Sequence, residues 1–119
     1  MLNNASGFEK IYIACGYSDL RRGIDGFASM IQQEFKIDPF TNGILFLFCG
    51  RKTDRIKGLL CEGDGFLLLY NRLETGKFQW PRNEAEVKAI SPQQYKWLME
   101  GLSIDQKKAI KSIAPARIL

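Results

Sequence analysis

The sequence contains no histidine in its 119 residues. Histidine is the commonest general base in enzymes, so its absence excludes Ser-His-Asp and Cys-His catalytic arrangements. The nucleotide-binding patterns G-x-x-x-x-G-K (followed by Ser or Thr) and G-x-G-x-x-G are also absent. Four carboxylates, Asp19, Asp25, Asp54 and Asp64, remain as candidates for metal-dependent catalysis. Helix capping, ion pairing and turn formation are sufficient roles for Asp19, Asp54 and Asp64, so we expect a protein that is not an enzyme.

The chain has only three cysteines, Cys15, Cys49 and Cys61, and no C-x-x-C pair. They are widely spaced in apolar surroundings, which is typical of reduced core cysteines in a cytosolic protein. A zinc site would need all three scattered thiolates and a carboxylate, since no histidine is present. We expect neither a bound metal nor a cofactor.

Long apolar runs are missing as well. No segment approaches the length that spans a bilayer, and the amino terminus lacks a charged start followed by an apolar core. We expect a soluble, cytoplasmic protein with no membrane association. A hydrophobic content of 45% predicts one domain over residues 1–119, and a formal charge of +4 favours anionic partners only weakly.

Residues 51–81 hold the most informative pattern in the chain. Strand-forming runs are separated by two glycine turns, Gly63 to Gly65 and Thr75-Gly76, which predicts a three-stranded antiparallel meander. Seven cations lie on or beside the meander: Arg51, Lys52, Arg55, Lys57, Arg72, Lys77 and Arg82. Antiparallel pairing would gather distant cations on one surface. The alternative is a solvated face whose charges discourage aggregation of sheet edges.

The first half of the chain predicts two strands and a helix. Residues 11–15 form an early strand, and the next apolar stripe predicts a helix that is capped by Ser18 or Asp19 and ends at Asp38-Pro39. Gly23 and Gly26 interrupt this helix, which suggests close approach of another backbone. Residues 44–49 are apolar at every position, so we expect a central strand that is buried on both faces.

The last part predicts an edge strand or loop at 82–89 and two helices. Ser91, Pro92 and Gln94 form a capping sequence, followed by a buried stripe of Tyr95, Leu98, Met99 and Leu102 that stops at Gly101. A short basic amphipathic helix is predicted from about residue 103 to Pro115. The fold class is therefore α+β, an antiparallel meander sheet of four to six strands flanked by two or three helices.

These motifs, in this order, resemble a known family. They are G-Y-S-D-L-R-R-G-I-D-G-F from Gly16, D-R-I-K from Asp54, G-D-G-F-L-L-L-Y-N-R-L-E-T-G-K-F-Q-W-P from Gly63, and S-P-Q-Q-Y-K-W-L-M-E-G-L from Ser91. The chain resembles, from about Ile11 to Leu102, the second-open-reading-frame accessory protein of insertion sequence 66 elements, a TnpB-type transposition helper. The resemblance implies a partner of a larger transposase that carries the strand-transfer chemistry. It implies no catalytic residue.

The first functional hypothesis is a DNA-binding accessory factor that assists transposase assembly on the element ends. Phosphate contacts would come from eight cations, Arg21, Arg22, Arg51, Lys52, Arg55, Lys57, Arg72 and Lys77. Tyr70 or Trp80 would pack against sugars or bases, although the apolar neighbours of Trp80 favour a place in the core.

The alternative hypothesis is an adapter that docks on the transposase and leaves DNA contact to it. The apolar strand residues Phe46, Phe48, Leu67 and Leu69 cannot all share one face of a sheet with the other apolar residues. A second layer, a partner protein or a homo-oligomer interface would each cover the surplus.

Overall fold

The structure is a computed structural model that describes residues 7–82 and 86–106. In this part of the chain it has an α+β fold with a five-stranded sheet and a helix against each face. The strands are β1 (Lys10–Ala14), β2 (Ile44–Cys49), β3 (Arg55–Cys61), β4 (Phe66–Arg72) and β5 (Val87–Ile90), and the helices are α1 (Ile24–Gln33) and α2 (Pro92–Met99).

The sheet is mixed, so the prediction of a purely antiparallel sheet was wrong. Its strand order is β4-β3-β2-β1-β5, and β1 pairs with β2 in parallel while every other pair is antiparallel. The parallel pair arises because α1 carries the chain back along the sheet between β1 and β2, and such a crossover returns the chain in the same direction.

The predicted meander exists, but one strand earlier than expected. It consists of β2, β3 and β4, and the predicted hairpin turn at Gly63 to Gly65 is confirmed, since it joins β3 to β4 and Gly63 has a φ of 91°. Gly76 has a φ of 85° but closes no hairpin. The predicted third strand after Gly76 does not form. Residues 77–80 instead form no regular secondary structure, and they bury Phe78 and Trp80 against the face of the sheet that α2 covers.

Strand β2 is buried at all six positions, which confirms the prediction of a central strand. Leu45 and Leu47 belong to the core on the α2 side, whereas Phe46 and Phe48 belong to the core on the α1 side. On that side the ring of Phe48 stacks on Phe27 of α1 at 4.3 Å between centroids. The surplus of apolar strand residues in β2 is therefore accounted for by a helical layer on each face.

Helix α1 is shorter than predicted at both ends. Its N-cap is Gly23 without a side-chain cap, because the Asp19 carboxylate is used in the preceding turn, where it accepts a hydrogen bond from the Arg21 amide at 3.0 Å. The helix ends before Asp38-Pro39, since Lys36 has a φ of 58° and the Ile37 amide bonds back to the Ile31 carbonyl.

The inference that Gly23 and Gly26 admit another backbone was also wrong. A Cβ at Gly23 would meet no atom within 4 Å, and one at Gly26 would meet the Arg22 side chain at 3.2 Å.

Helix α2 has the predicted capping box, in which Ser91 and Gln94 each accept a hydrogen bond from the backbone amide of the other. Tyr95 and Leu98 are buried as expected, but Leu102 is exposed. Residues 103–106 are not helical, and the remainder of the predicted basic helix lies outside the described residues. Strand β5 is the predicted short edge strand.

None of the three cysteines forms a disulfide; Cys49 and Cys61 are buried and Cys15 is half-buried. Within residues 7–82 and 86–106 there is no cluster of three or more potential metal ligands. Neither helix in the same ranges is long and apolar enough to cross a membrane.

Candidate nucleic-acid interface

The topology brings three loops together at one end of the sheet. Strands β1 and β2 are parallel, and β4 runs in the same direction because two antiparallel pairings separate it from β2. The segments that follow these three strands therefore leave the sheet at the same end. Hydrogen bonds join them there: the Ser18 amide donates to the Cys49 carbonyl and the Gly16 amide to the Pro81 carbonyl, both at 2.8 Å.

A groove of about 800 Å³ opens at this end, on the side of the sheet that α1 covers. Its charged lining consists of five cations and one acid, with two tyrosines and two leucines supplying apolar surface. We call this site the basic groove and define it by its lining residues: Tyr17, Ser18, Asp19, Leu20, Arg21, Gly50, Arg51, Lys52, Arg55, Lys57, Leu68 and Tyr70.

Five of the eight predicted DNA-binding residues line the basic groove: Arg21, Arg51, Lys52, Arg55 and Lys57. The other three border it. Lys77 lines a second cavity of about 460 Å³ that shares Arg51 and Lys52 with the groove. Arg72 is the Cα partner of Arg55 in the β3–β4 register, and the Arg22 carbonyl accepts a hydrogen bond from Lys57 at 3.3 Å. The structure thus brings all eight residues to one region.

Two of the eight cations are ion-paired. Arg21 bonds Asp19 and Arg55 bonds Asp54, each at 2.9 Å. The hydrogen bond from Arg21 lowers the pKa of Asp19 to about 2, and the hydrogen bond from Arg55 lowers the pKa of Asp54, so both carboxylates stay ionised at neutral pH. The remaining six cations form no ion pair with any residue in the described ranges.

Two tyrosines flank the cations, and each lies beside one of them. The Arg51 guanidinium stands 4.3 Å from the centroid of the Tyr17 ring and donates a hydrogen bond to its hydroxyl at 3.0 Å. The Lys57 ammonium lies 5.6 Å from the centroid of the Tyr70 ring. Both rings remain more than half exposed, so each offers aromatic surface to a ligand.

Trp80 does not belong to the site. It is buried, and its indole N–H donates to the Ala14 carbonyl at 2.9 Å. The suggestion that Trp80 packs against bases is therefore wrong, and the competing interpretation of a core residue is confirmed. Tyr17 takes the second aromatic position, which sequence reasoning missed. Its place four residues before Arg21, the first of the Arg21-Arg22 pair, was the available signal.

Arg82 is the other residue whose role was missed, since it was counted among the surface cations. Its guanidinium donates at 2.6 Å to the carbonyls of both Gly16 and Gly50, and at 3.2 Å to that of Arg51. It therefore joins the loop after β1 to the loop after β2. Beneath it, burial raises the pKa of the Cys49 thiol to about 11, an effect that the neighbouring Arg82 partly opposes.

The fold and the groove define a small α+β protein with a concave, cationic site at one end of a mixed sheet. The chain matches the family described as IS66 Orf2 like protein over residues 9–109, and it belongs to that family. The resemblance noted from the sequence motifs is thereby confirmed.

Two relatives come from Sinorhizobium fredii (strain NBRC 101917 / NGR234). The chain is similar to the uncharacterized protein y4hO, with 37% identity over 78% of this chain and 80% of the relative. It is also similar to the uncharacterized protein y4jC, with 28% identity over 92% of each chain. No solved structure matches it.

Proposed function

We propose that this protein is a non-catalytic accessory factor of insertion-sequence transposition that binds DNA through the basic groove and assists the transposase on the element ends. Membership of the IS66 Orf2-like family supports the transposition context. The proposal that the protein binds DNA rests on one observation. Eight cations converge at one end of the sheet, and six of them have no ionic partner in the described ranges.

Phosphate neutralisation is the chemistry that this arrangement favours. Arginine and lysine side chains on a nucleic-acid surface release condensed counterions from the phosphates, and this release makes the affinity depend steeply on salt. The ion pairs of Arg21 and Arg55 do not remove these residues from the site, because ion pairs that solvent can reach are weak and exchange readily for a phosphate.

The experiment is a fluorescence-anisotropy titration of labelled element-end DNA at several salt concentrations. We expect the logarithm of the association constant to fall linearly with the logarithm of salt, with a slope of about −0.9 per duplex contact or about −0.7 per single-strand contact. The double variant R51A/K52A should bind more weakly and flatten the slope by roughly 1.5 units.

The matched control is K88A/K96A, which removes the same charge from two exposed lysines that do not line the groove. It should lose far less affinity than R51A/K52A. Absence of binding by the unaltered protein at low salt would reject DNA binding, and equal losses in the two double variants would reject the basic groove as its location.

The adapter role is the second candidate function, and it draws on a different surface. Leu67 is 40% exposed on β4, an edge strand of the described sheet whose free backbone groups could pair with a partner strand. Association with the transposase that survives nuclease treatment and is weakened by L67K would support it. Failure to associate at any salt concentration would reject it.

A further inference from the structure

Two elements of the type that enters a DNA major groove, helix α1 and the tip of the β3–β4 hairpin, carry no positive charge here. Proteins that read duplex DNA insert a helix or a two-stranded ribbon into that groove. Helix α1 contains no lysine or arginine and has Asp25 in its first turn. The tip of the β3–β4 hairpin, residues 62–65, contains Glu62 and Asp64 and no cation. Both projections would repel phosphates.

The cations lie instead on the walls of a concave site. At about 800 Å³ the basic groove falls in the range of sites that hold a drug-sized ligand, which suits a few unpaired nucleotides rather than a double helix. A single strand is flexible enough to follow such a groove with its phosphates on the cations.

The two tyrosines supply what a single strand needs besides charge. Tyr17 is 58% exposed and Tyr70 is 54% exposed, although both rings are held beside cations. Tyr17 lies in the loop after β1 and Tyr70 lies on β4, and both line the basic groove. Unpaired bases present free faces that stack on aromatic rings, whereas the bases of a duplex do not.

We propose that the basic groove binds single-stranded DNA, with bases stacked on Tyr17 and Tyr70 and phosphates held by Arg51, Lys52 and Lys57. This inference rests on the proposed function, since it specifies the form of nucleic acid that the same site takes. In this proposal Arg51 has two roles, because it holds the Tyr17 ring and also binds a phosphate of the strand.

The test compares labelled single strands, the duplex of the same sequence and the matching RNA strand, again by anisotropy. We expect the single-stranded DNA to bind at least about tenfold more tightly than the duplex. Y70A should weaken single-strand binding by about 5- to 100-fold, the range for loss of one stacked base, while leaving the salt slope unchanged because no phosphate contact is removed. Y70F should bind like the unaltered protein.

The matched control is F40A, which removes an aromatic ring that is 60% exposed and lies outside the groove. It should leave the affinity unchanged, and thermal unfolding of each variant shows whether it is folded. Tighter binding of the duplex, or equal affinities of Y70A and F40A, would overturn this inference but leave DNA binding intact. Tighter binding of the RNA strand would overturn the assignment to DNA. Binding to none of the three would reject the proposed function itself.

Discussion

The two ends of the sheet are built from the same strands but carry opposite charges. At the basic end the segments after β1, β2 and β4 gather the groove cations. At the other end lie the acidic hairpin tip with Glu62 and Asp64 and, beside Gly43, the exposed Glu9. Lys57 and Glu62 are only five residues apart, but the direction of β3 carries them toward opposite ends. In the described residues, the charges at the two ends of the sheet thus differ in sign.

This comparison shows why net charge was a weak guide to function. Interspersed acids in the sequence suggested that the cations would be neutralised locally. The strands sort the charges by position along their length, so that Asp19 and Asp54 are the acids paired to groove cations while Glu62 and Asp64 face away. The electrostatic field at the groove therefore depends on topology more than on composition.

The largest expected effect is the difference in DNA affinity between a variant with reversed charge at the basic end and one with reversed charge at the acidic end. R51E/K52E should weaken DNA binding by roughly 100-fold at low salt, because two phosphate contacts become repulsions. E62K/D64K makes the opposite change at the other end and should leave affinity within about threefold, since the Debye length near 10 Å screens the distant charges. Anisotropy titrations of both variants check this, and comparable effects of the two would contradict the assignment of the groove.

R82A should produce the next largest effect, at the basic end alone. Loss of the hydrogen bonds to the Gly16 and Gly50 carbonyls should lower the free energy of unfolding by about 2 kcal/mol, the usual scale for bonds to a charged group. Urea unfolding measures the change, with K88A as the exposed control. DNA affinity should fall as well, since the loops after β1 and β2 lose this connection. A stability equal to that of K88A would show that Arg82 does not hold the two loops together.

G43A should have the smallest effect and should separate stability from binding. Gly43 has a φ of 85°, and an added Cβ would lie 2.7 Å from the Glu9 side chain, so the substitution should cost about 1 to 2 kcal/mol. Because Gly43 lies at the acidic end, DNA affinity below the unfolding transition should not change. G65A, where no atom lies within 4 Å, is the control. A loss of affinity in G43A would show that the two ends are coupled.

Local signals in the sequence predicted the local features correctly. The capping box of α2, the buried strand β2 and the hairpin turn at Gly63 to Gly65 each depend on a few consecutive residues and were confirmed. The alternation of apolar and polar residues in Phe78-Gln79-Trp80 is the same whether a segment pairs in a sheet or only packs along the core. Nothing in the local sequence therefore indicated that the predicted third strand does not form.

The non-local features were the ones that sequence reasoning missed. The parallel pairing of β1 with β2 depends on the path that α1 takes across the sheet, which no motif records. The clustering of cations was predicted from strand pairing, but the roles of Tyr17 and Arg82 depend on residues more than 30 positions away, Arg51 for Tyr17 and Gly16 and Gly50 for Arg82. Such partners emerge only when the chain has folded.

Arg82 also fixes the arrangement of two groove loops before any ligand arrives. One guanidinium holds the carbonyls of Gly16 and Gly50, so the loops after β1 and β2 keep their relative position without help from a nucleic acid. On the proposed function, a strand that enters would lose its own freedom on binding but would not have to order these loops as well. Ordering of loops usually weakens binding to a site built from them, and here folding has already ordered these loops.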